Sequence, residues 1–221
     1  MVDKILDYIA IFLALIVVLP LHEYAHARVA VWCGDNTPKL YGRLTLNPLA
    51  HFDPMGLVLF VFARFGWAKP VPVNPYNFRK YKLHSFFVAV AGVVANYLLA
   101  FITYPLFFIA ILYIPQFGYF TSVLQNTLLY IYLMSLNFFV FNLIPLYPLD
   151  GFRVIDSFAK KKGKGYQYIK RYGVYILLGL FALSILADFT GLWYIDVLGL
   201  IITNGASILG TPITAFWGLI F

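Results

Sequence analysis

The chain has 221 residues, 62% of them hydrophobic and only 11% charged, and its mean hydropathy is +0.82. Soluble domains carry about 25% charged residues, so a soluble globular class is excluded and an integral membrane protein is expected. The net charge of +7 is read through loop position and implies no nucleic-acid partner, and a lone cysteine, Cys33, excludes an internal disulfide or a cysteine-based zinc cluster.

Residues 5–33 read as the first membrane-spanning helix, ended by Gly34 and the turn residues Asp35-Asn36-Thr37-Pro38. Ala25-His26-Ala27 has the small-x-small shape of a signal-peptide cleavage site. However, Asp3 and Asp7 oppose Lys4 before it and the apolar run continues to Trp32, so this helix is expected to be retained. Residues 35–83 are rich in Pro, Asn and basic side chains. The apolar stretch 55–63 within them is shorter than the about 20 residues a spanning helix needs, so a strand pair or re-entrant piece is expected. Further spans are predicted over 84–114, with a kink at Pro105, over 122–146, and over 172–190 after a basic loop. Residues 192–221 are apolar but interrupted at Asn204-Gly205 and Pro212, which predicts one long or two short segments.

The expected fold is therefore an all-α polytopic membrane protein of about five to six transmembrane helices. It has a three-helix catalytic core and a short membrane-associated β or re-entrant segment. A single domain over 1–221 is expected, with its core at about 5–155 and additional C-terminal helices at about 166–221.

The informative residues lie inside the first span, where His22-Glu23-Tyr24-Ala25-His26 forms an H-E-x-x-H pattern. Imidazoles four residues apart share a helix face about 6 Å apart along the axis, which suits two ligands of one zinc ion. The adjacent glutamate can hold and deprotonate a water on that metal. Ionisable groups in a membrane helix are costly and point to function, and three within five residues are hard to explain as packing.

Catalytic zinc usually takes three protein ligands. Glu23 is the only glutamate in the chain, so a distal glutamate ligand is excluded. Val29 and Trp32 stand where an extended motif would need Gly and His. The remaining candidates are the aspartates, the other histidines and Cys33. Asp150 is the strongest, because Pro145 and Pro148 open the end of the third span and Gly151 permits a tight turn after it. A solvated helix-end aspartate is the alternative reading of Asp150. Asp53 and His51 sit in a Pro-rich loop where structural roles fit better, and His84 falls at a helix start.

These residues together resemble the site-2 protease family of intramembrane zinc metalloproteases. His22-Glu23-x-x-His26 matches its first motif and Asn142-x-x-Pro145-x-x-x-Leu149-Asp150-Gly151 its second. Gly92-x-x-x-Asn96 matches a lesser one, with Val93 where a proline is common. The intervening segments 42–48 and 66–75 look like the short bacterial or archaeal subgroup, and the resemblance covers about residues 15–155. It implies zinc held by His22, His26 and Asp150, with Glu23 as general base and later proton donor. Asn96 and Asn142 become candidate donors to the substrate backbone or developing oxyanion, with helix–helix hydrogen bonding as the alternative for both. The implied activity is hydrolysis of peptide bonds in transmembrane segments of protein substrates in the lipid bilayer, without the PDZ or CBS domains that many members carry. The competing readings are a non-proteolytic zinc-binding membrane protein and a transporter, for which no inverted repeat is visible. A di-iron membrane enzyme would need more than the four histidines present.

Of the 16 Lys and Arg residues, every one except Lys4 lies in 28–82 or 153–171. The positive-inside rule then predicts that both regions are cytoplasmic, that the N-terminus is external, and that the zinc motif sits one to two turns from the cytoplasmic end of its helix. Single-cysteine labelling in a Cys33→Ala background tests this orientation. Lys162→Cys should react only from the cytoplasmic side, and labelling from outside would reverse it.

Overall fold

A bilayer offers no water to stray backbone groups, so apolar runs of this length should close their hydrogen bonds within helices. The computed structural model describes residues 2–57, 68–115, 118–159 and 162–220. Its helices are α1 (Val2–Trp32), α2 (Thr37–Leu40), α3 (Pro48–His51), α4 (Tyr81–Tyr113), α5 (Tyr119–Leu143), α6 (Asp150–Phe158), α7 (Lys164–Thr190) and α8 (Val197–Trp217). Among the described residues, five of them (α1, α4, α5, α7 and α8) are long and apolar enough to cross a membrane. The architecture is all-α and polytopic, as the composition predicts.

Two boundaries differ instructively from the sequence reading. α7 begins at Lys164 rather than 172, because Lys, Gln and Arg are good helix formers that hydropathy does not register. The interruption expected at Asn204-Gly205 and Pro212 does not occur, and α8 is one continuous helix through all three residues. Asn204 returns its amide to Leu200 O, four residues back, at 2.8 Å. Gly205 lies against Val140 of α5, where a Cβ would come within 2.8 Å of a valine methyl. Pro212 is tolerated because neighbouring helices, side chains and local adjustment can satisfy the backbone groups it frees.

α1, α4 and α5 pack against one another and form the core of the bundle. The buried face of α1 repeats every four residues, through Ala10, Ala14, Val18, His22, His26 and Ala30. Small residues on this stripe, and Ala89, Ala91, Gly92 and Ala100 on α4, let the backbones approach closely. The two histidines thus occupy positions that elsewhere on the stripe are filled by Ala or Val. α6 packs on α4, α8 on α5, and α7 mainly on α8. His26 lies under two turns, and His22 nearly three, from Trp32, or about 9 and 15 Å into α1. The pair therefore sits somewhat deeper than the sequence reading placed it.

The described residues contain no named strand, only an isolated antiparallel bridge between Phe52 and Ala68, with Lys69 N–H donating to His51 O at 2.8 Å. Of the expected β or re-entrant segment at 55–63, residues 55–57 are helical and 58–63 lie outside the described residues. Asp53 caps this turn, its carboxylate accepting from Met55 and Gly56 N–H at 3.0 Å each.

The polar segment is tied together after α1 by one carboxylate. Gly34, at φ 110°, turns the chain out of the helix and delivers Asp35, which is fully buried. Asp35 Oδ1 accepts from Thr37 N–H at 3.0 Å, Thr37 Oγ1 at 2.5 Å and Asn77 Nδ2 at 2.8 Å. Its Oδ2 accepts from Asn74 N–H at 2.7 Å. Burial alone would raise the Asp35 pKa, but the bonds from Thr37, Asn77 and Asn74 outweigh it and hold the carboxyl below its ordinary value. A carboxyl with a lowered native pKa stabilises the fold above its unfolded value and loses that contribution as pH falls through the native one. Asp35→Ala should therefore lower stability by about 2 kcal/mol at neutral pH. Thermal unfolding in detergent should show a gap from wild type that narrows only below about pH 4.

Candidate metal centre

The site is built where α1 and α4 cross and α6 begins. α1 presents His22 and His26 one turn apart, and their rings meet edge-on with centroids 4.6 Å apart. α4 runs antiparallel to it and offers three residues at matching spacing. Val88 O accepts from His26 Nδ1 at 2.6 Å, Gly92 faces both rings, and the Asn96 amide lies 3.2 Å from His22 Nδ1. A Cβ on Gly92 would stand 2.5 and 2.6 Å from His22 Cε1 and Nε2. Only glycine lets α4 come this close to the rings.

The third donor arrives from the end of α5. The chain leaves that helix at Leu143, passes through Pro145 and a cis Tyr147–Pro148 bond, and re-enters a helix at Asp150. Leu149 N–H bonds Leu146 O at 2.8 Å within this loop. Gly151 does not serve a turn after Asp150, since it lies inside α6 and outside the positive-φ glycines. Its role is close approach, because a Cβ there would come within 2.6 Å of Ile144 O and Leu143 C. The start of α6 is thereby pressed against the end of α5, with Asp150 turned inward.

Asp150 Oδ2 lies 3.3 Å from His22 Nε2 and 3.0 Å from His26 Nε2, and the two Nε2 atoms are 3.0 Å apart. His22, His26 and Asp150 are all buried. Asp150 Oδ2 has no donor aligned on it as a hydrogen bond, although both nitrogens are close. His26 Nδ1–H donates to Val88 O, so in the neutral ring Nε2 presents a lone pair to the same point. An ion with four tetrahedral bonds of about 2.0–2.1 Å would hold its ligands about 3.3 Å apart. The observed separations fit that spacing, and the donor set fits a zinc ion.

The other candidates fall elsewhere. His51 is buried with its Nε2 2.8 Å from Thr45 O, Asp53 is a helix cap, and His84 Nδ1 lies 3.1 Å from Cys33 O. Cys33 packs with Ala30, Phe78 and Val88. None of them belongs to a second metal-sized cluster among the described residues. Asn142 donates back to Phe138 O at 3.0 Å, one turn earlier on α5. Glu23 is half-buried beside the donor set, and its Oε2 accepts from Val71 N–H at 3.2 Å.

Three participants could not be anticipated from the sequence. Val88 O and Val71 N–H are backbone groups, for which side-chain identity carries no signal. Arg153 approaches Asp150 Oδ1 at 3.4 Å, and only its i, i+3 spacing hinted at it.

The sequence model of peptidase family M50 matches residues 10–184. The chain belongs to peptidase family M50, the site-2 protease family. It is 43% identical over 155 residues to the Bacillus subtilis (strain 168) protein named "Putative zinc metalloprotease YwhC", covering 70% of each chain. It is 27% identical over 228 residues to "Putative zinc metalloprotease Rip2" of Mycobacterium tuberculosis (strain ATCC 25618 / H37Rv), covering 98% of this chain and 85% of the relative. The protein of that name in the Erdman strain is 26% identical over the same span. No solved structure matches the chain. With the donor set above, family M50 membership makes the chain a zinc metalloprotease with zinc as its metal.

Removing a donor or crowding the rings should act on metal content directly. Asp150→Ala and Gly92→Val should each lower bound zinc well below one per chain in the purified protein, read by elemental analysis. Full occupancy in Asp150→Ala would move the third ligand elsewhere.

Proposed function

We propose that this chain is an intramembrane protease that cuts transmembrane segments of other proteins, in the manner of regulated intramembrane proteolysis. The observation that carries this reading is the convergence of His22, His26 and Asp150 at one buried point. The two histidines lie on a helix long and apolar enough to cross a membrane, Asp150 at the start of the short α6, and Glu23 next to His22 in the chain. His22 Nε2, His26 Nε2 and one Asp150 oxygen hold the zinc. When bound, the ion supplies a Lewis acid that polarises the scissile carbonyl and makes water a competent nucleophile at neutral pH.

Glu23 takes the proton from the attacking water and passes it to the leaving amine. In the structure its carboxylate rests on Val71 N–H, which holds it in place at the edge of the site. Asn142, on the last turn before the Asp150 loop, is the candidate donor to the developing oxyanion once its amide leaves Phe138 O. The whole of 1–221 forms one protease domain, with α7 and α8 added to a core at about 5–155. It lies in the cell membrane with the active site toward the cytoplasmic face and the N-terminus outside, in keeping with the placement of the basic residues.

A substrate helix in lipid has its carbonyls bonded and shielded, so hydrolysis requires local unwinding. Helix-breaking residues near the cut lower that cost by about 1 kcal/mol for each Gly and more for Pro. Co-expression with candidate single-span proteins tests the reading. Wild type should release a cleaved fragment while Glu23→Ala does not, and Glu23→Ala should retain its zinc because it is not a ligand. Replacing the helix breakers of a cleaved substrate by Leu should slow cleavage more than it weakens binding. Equal cleavage by Glu23→Ala would remove the assigned role of that residue.

A further inference from the structure

We propose that Asn96 is a positioning residue for the metal centre. Its side-chain oxygen accepts a hydrogen bond from His22 Nδ1–H and so fixes Nε2 as the nitrogen that binds zinc. The inference rests on the zinc-site reading above, but not on proteolysis.

The argument begins with the protons of His22. A neutral imidazole carries one N–H, and the nitrogen without it is the one that can bind a metal. His22 Nε2 faces His26 Nε2 at 3.0 Å and Asp150 Oδ2 at 3.3 Å, so Nε2 is the nitrogen aimed at the metal position. Nδ1 must then carry the hydrogen, and that hydrogen needs an acceptor in a fully buried place. Nδ1 faces the Asn96 carboxamide, whose Nδ2 is placed 3.2 Å away.

A carboxamide offers a donor at one end and an acceptor at the other, exchanged by a half-turn. With Nδ2 toward the ring, the amide would donate to Nδ1. The proton would then be driven to Nε2, where it would point at Asp150 and block the metal. Asn96 Oδ1 would meanwhile be left buried with no partner, on a side chain of 0% exposure. With Oδ1 toward the ring, Oδ1 accepts from Nδ1–H and the Nε2 lone pair is free. The half-turn alone only exchanges which amide atom lacks a partner. The need for a lone pair on Nε2 decides between the two.

The second ligand shows the same arrangement. His26 Nδ1–H donates to Val88 O at 2.6 Å, and Val88 sits two turns before Asn96 on α4. One helix therefore supplies both acceptors, a backbone carbonyl for the deeper-packed ring and a side-chain oxygen for the other. Metal-ligating histidines usually carry such an outer partner, and its loss typically costs 10–100-fold in metal affinity or activity. Asn96 is also too enclosed to meet a substrate directly. It acts through His22.

The test measures zinc affinity of the full chain in detergent by competition with a chelator of known affinity, without any substrate. Asn96→Leu keeps the size and removes the acceptor, and should weaken zinc binding 10–100-fold. Asn96→Asp restores an acceptor and should hold zinc within a few-fold of wild type. Nitrogen-15 NMR of the histidine-labelled, zinc-loaded protein should show the His22 Nδ1 proton protected in wild type and Asn96→Asp, and exchanging in Asn96→Leu. If Asn96→Leu does not fold, Asn96→Ala paired with Asn96→Ser supplies the same contrast, since Ser keeps an acceptor. Wild-type zinc affinity in Asn96→Leu together with lost cleavage would overturn the proposal and assign Asn96 to substrate or oxyanion binding. Equal weakening in Leu and Asp would reduce its role to packing.

Discussion

Three electron-rich atoms, His22 Nε2, His26 Nε2 and Asp150 Oδ2, are pressed to within 3.0–3.3 Å of one another in the interior of an apolar bundle. With neither Nε2 protonated their lone pairs repel, and a buried carboxylate also carries a large desolvation penalty. A divalent ion would convert the same arrangement into attraction, and metal binding and packing at this crossing would then be one equilibrium. Much of the rest of the fold can be understood as what is needed to hold those atoms there. The four-residue stripe on α1 puts both rings on its buried face. The small residues of α4 let it lie close enough to support them, and the loop after α5 turns Asp150 back into the bundle.

The same constraint separates what the sequence showed from what it hid. His22, Glu23 and His26 stood out because ionisable groups are improbable in a membrane helix, and Asp150 because two prolines open the chain before it; the structure brings His22, His26 and Asp150 together. The spans were legible from hydropathy, although α7 extends beyond its apolar part into Lys164, Gln167 and Lys170. Val88 O and Val71 N–H were invisible, since every residue carries such groups and only the fold says which ones meet a ring or a carboxylate. Asn204-Gly205 and Pro212 left one long or two short segments open, and the structure has the single helix. In water they would weaken a helix, but here Gly205 is a contact point for Val140, and the apolar surroundings leave the backbone no better partner than itself.

Asp35 illustrates a different kind of hidden information. From sequence it is one more member of a turn cluster, yet its carboxylate gathers donors from Thr37, Asn74 and Asn77, about forty residues apart in the chain. That staple fixes the segment after Lys69 relative to the end of α1. Val71, three residues before Asn74, is thereby brought to Glu23. The position of the glutamate is set partly by a buried aspartate that touches neither it nor the metal donors.

The glycines around the site share one function, and it is not flexibility. Gly92 admits the histidine rings against α4, Gly151 seats the start of α6 on the end of α5, and Gly173 seats α7 on the Asp150 loop. A Cβ on Gly173 would stand 2.8 Å from Tyr147 N and 3.1 Å from Tyr147 Cβ. None of the three adopts the left-handed backbone that Gly34, Gly42, Gly118 and Gly191 require. Each marks a place where a second piece of chain must come within a side chain's width of the first. All three lie along the path from α4 through Asp150 to α7. A side chain at Gly92 would push on the His22 and His26 rings themselves, whereas one at Gly151 or Gly173 would displace the backbone that carries or supports Asp150, and either disturbs the geometry on which such a site depends.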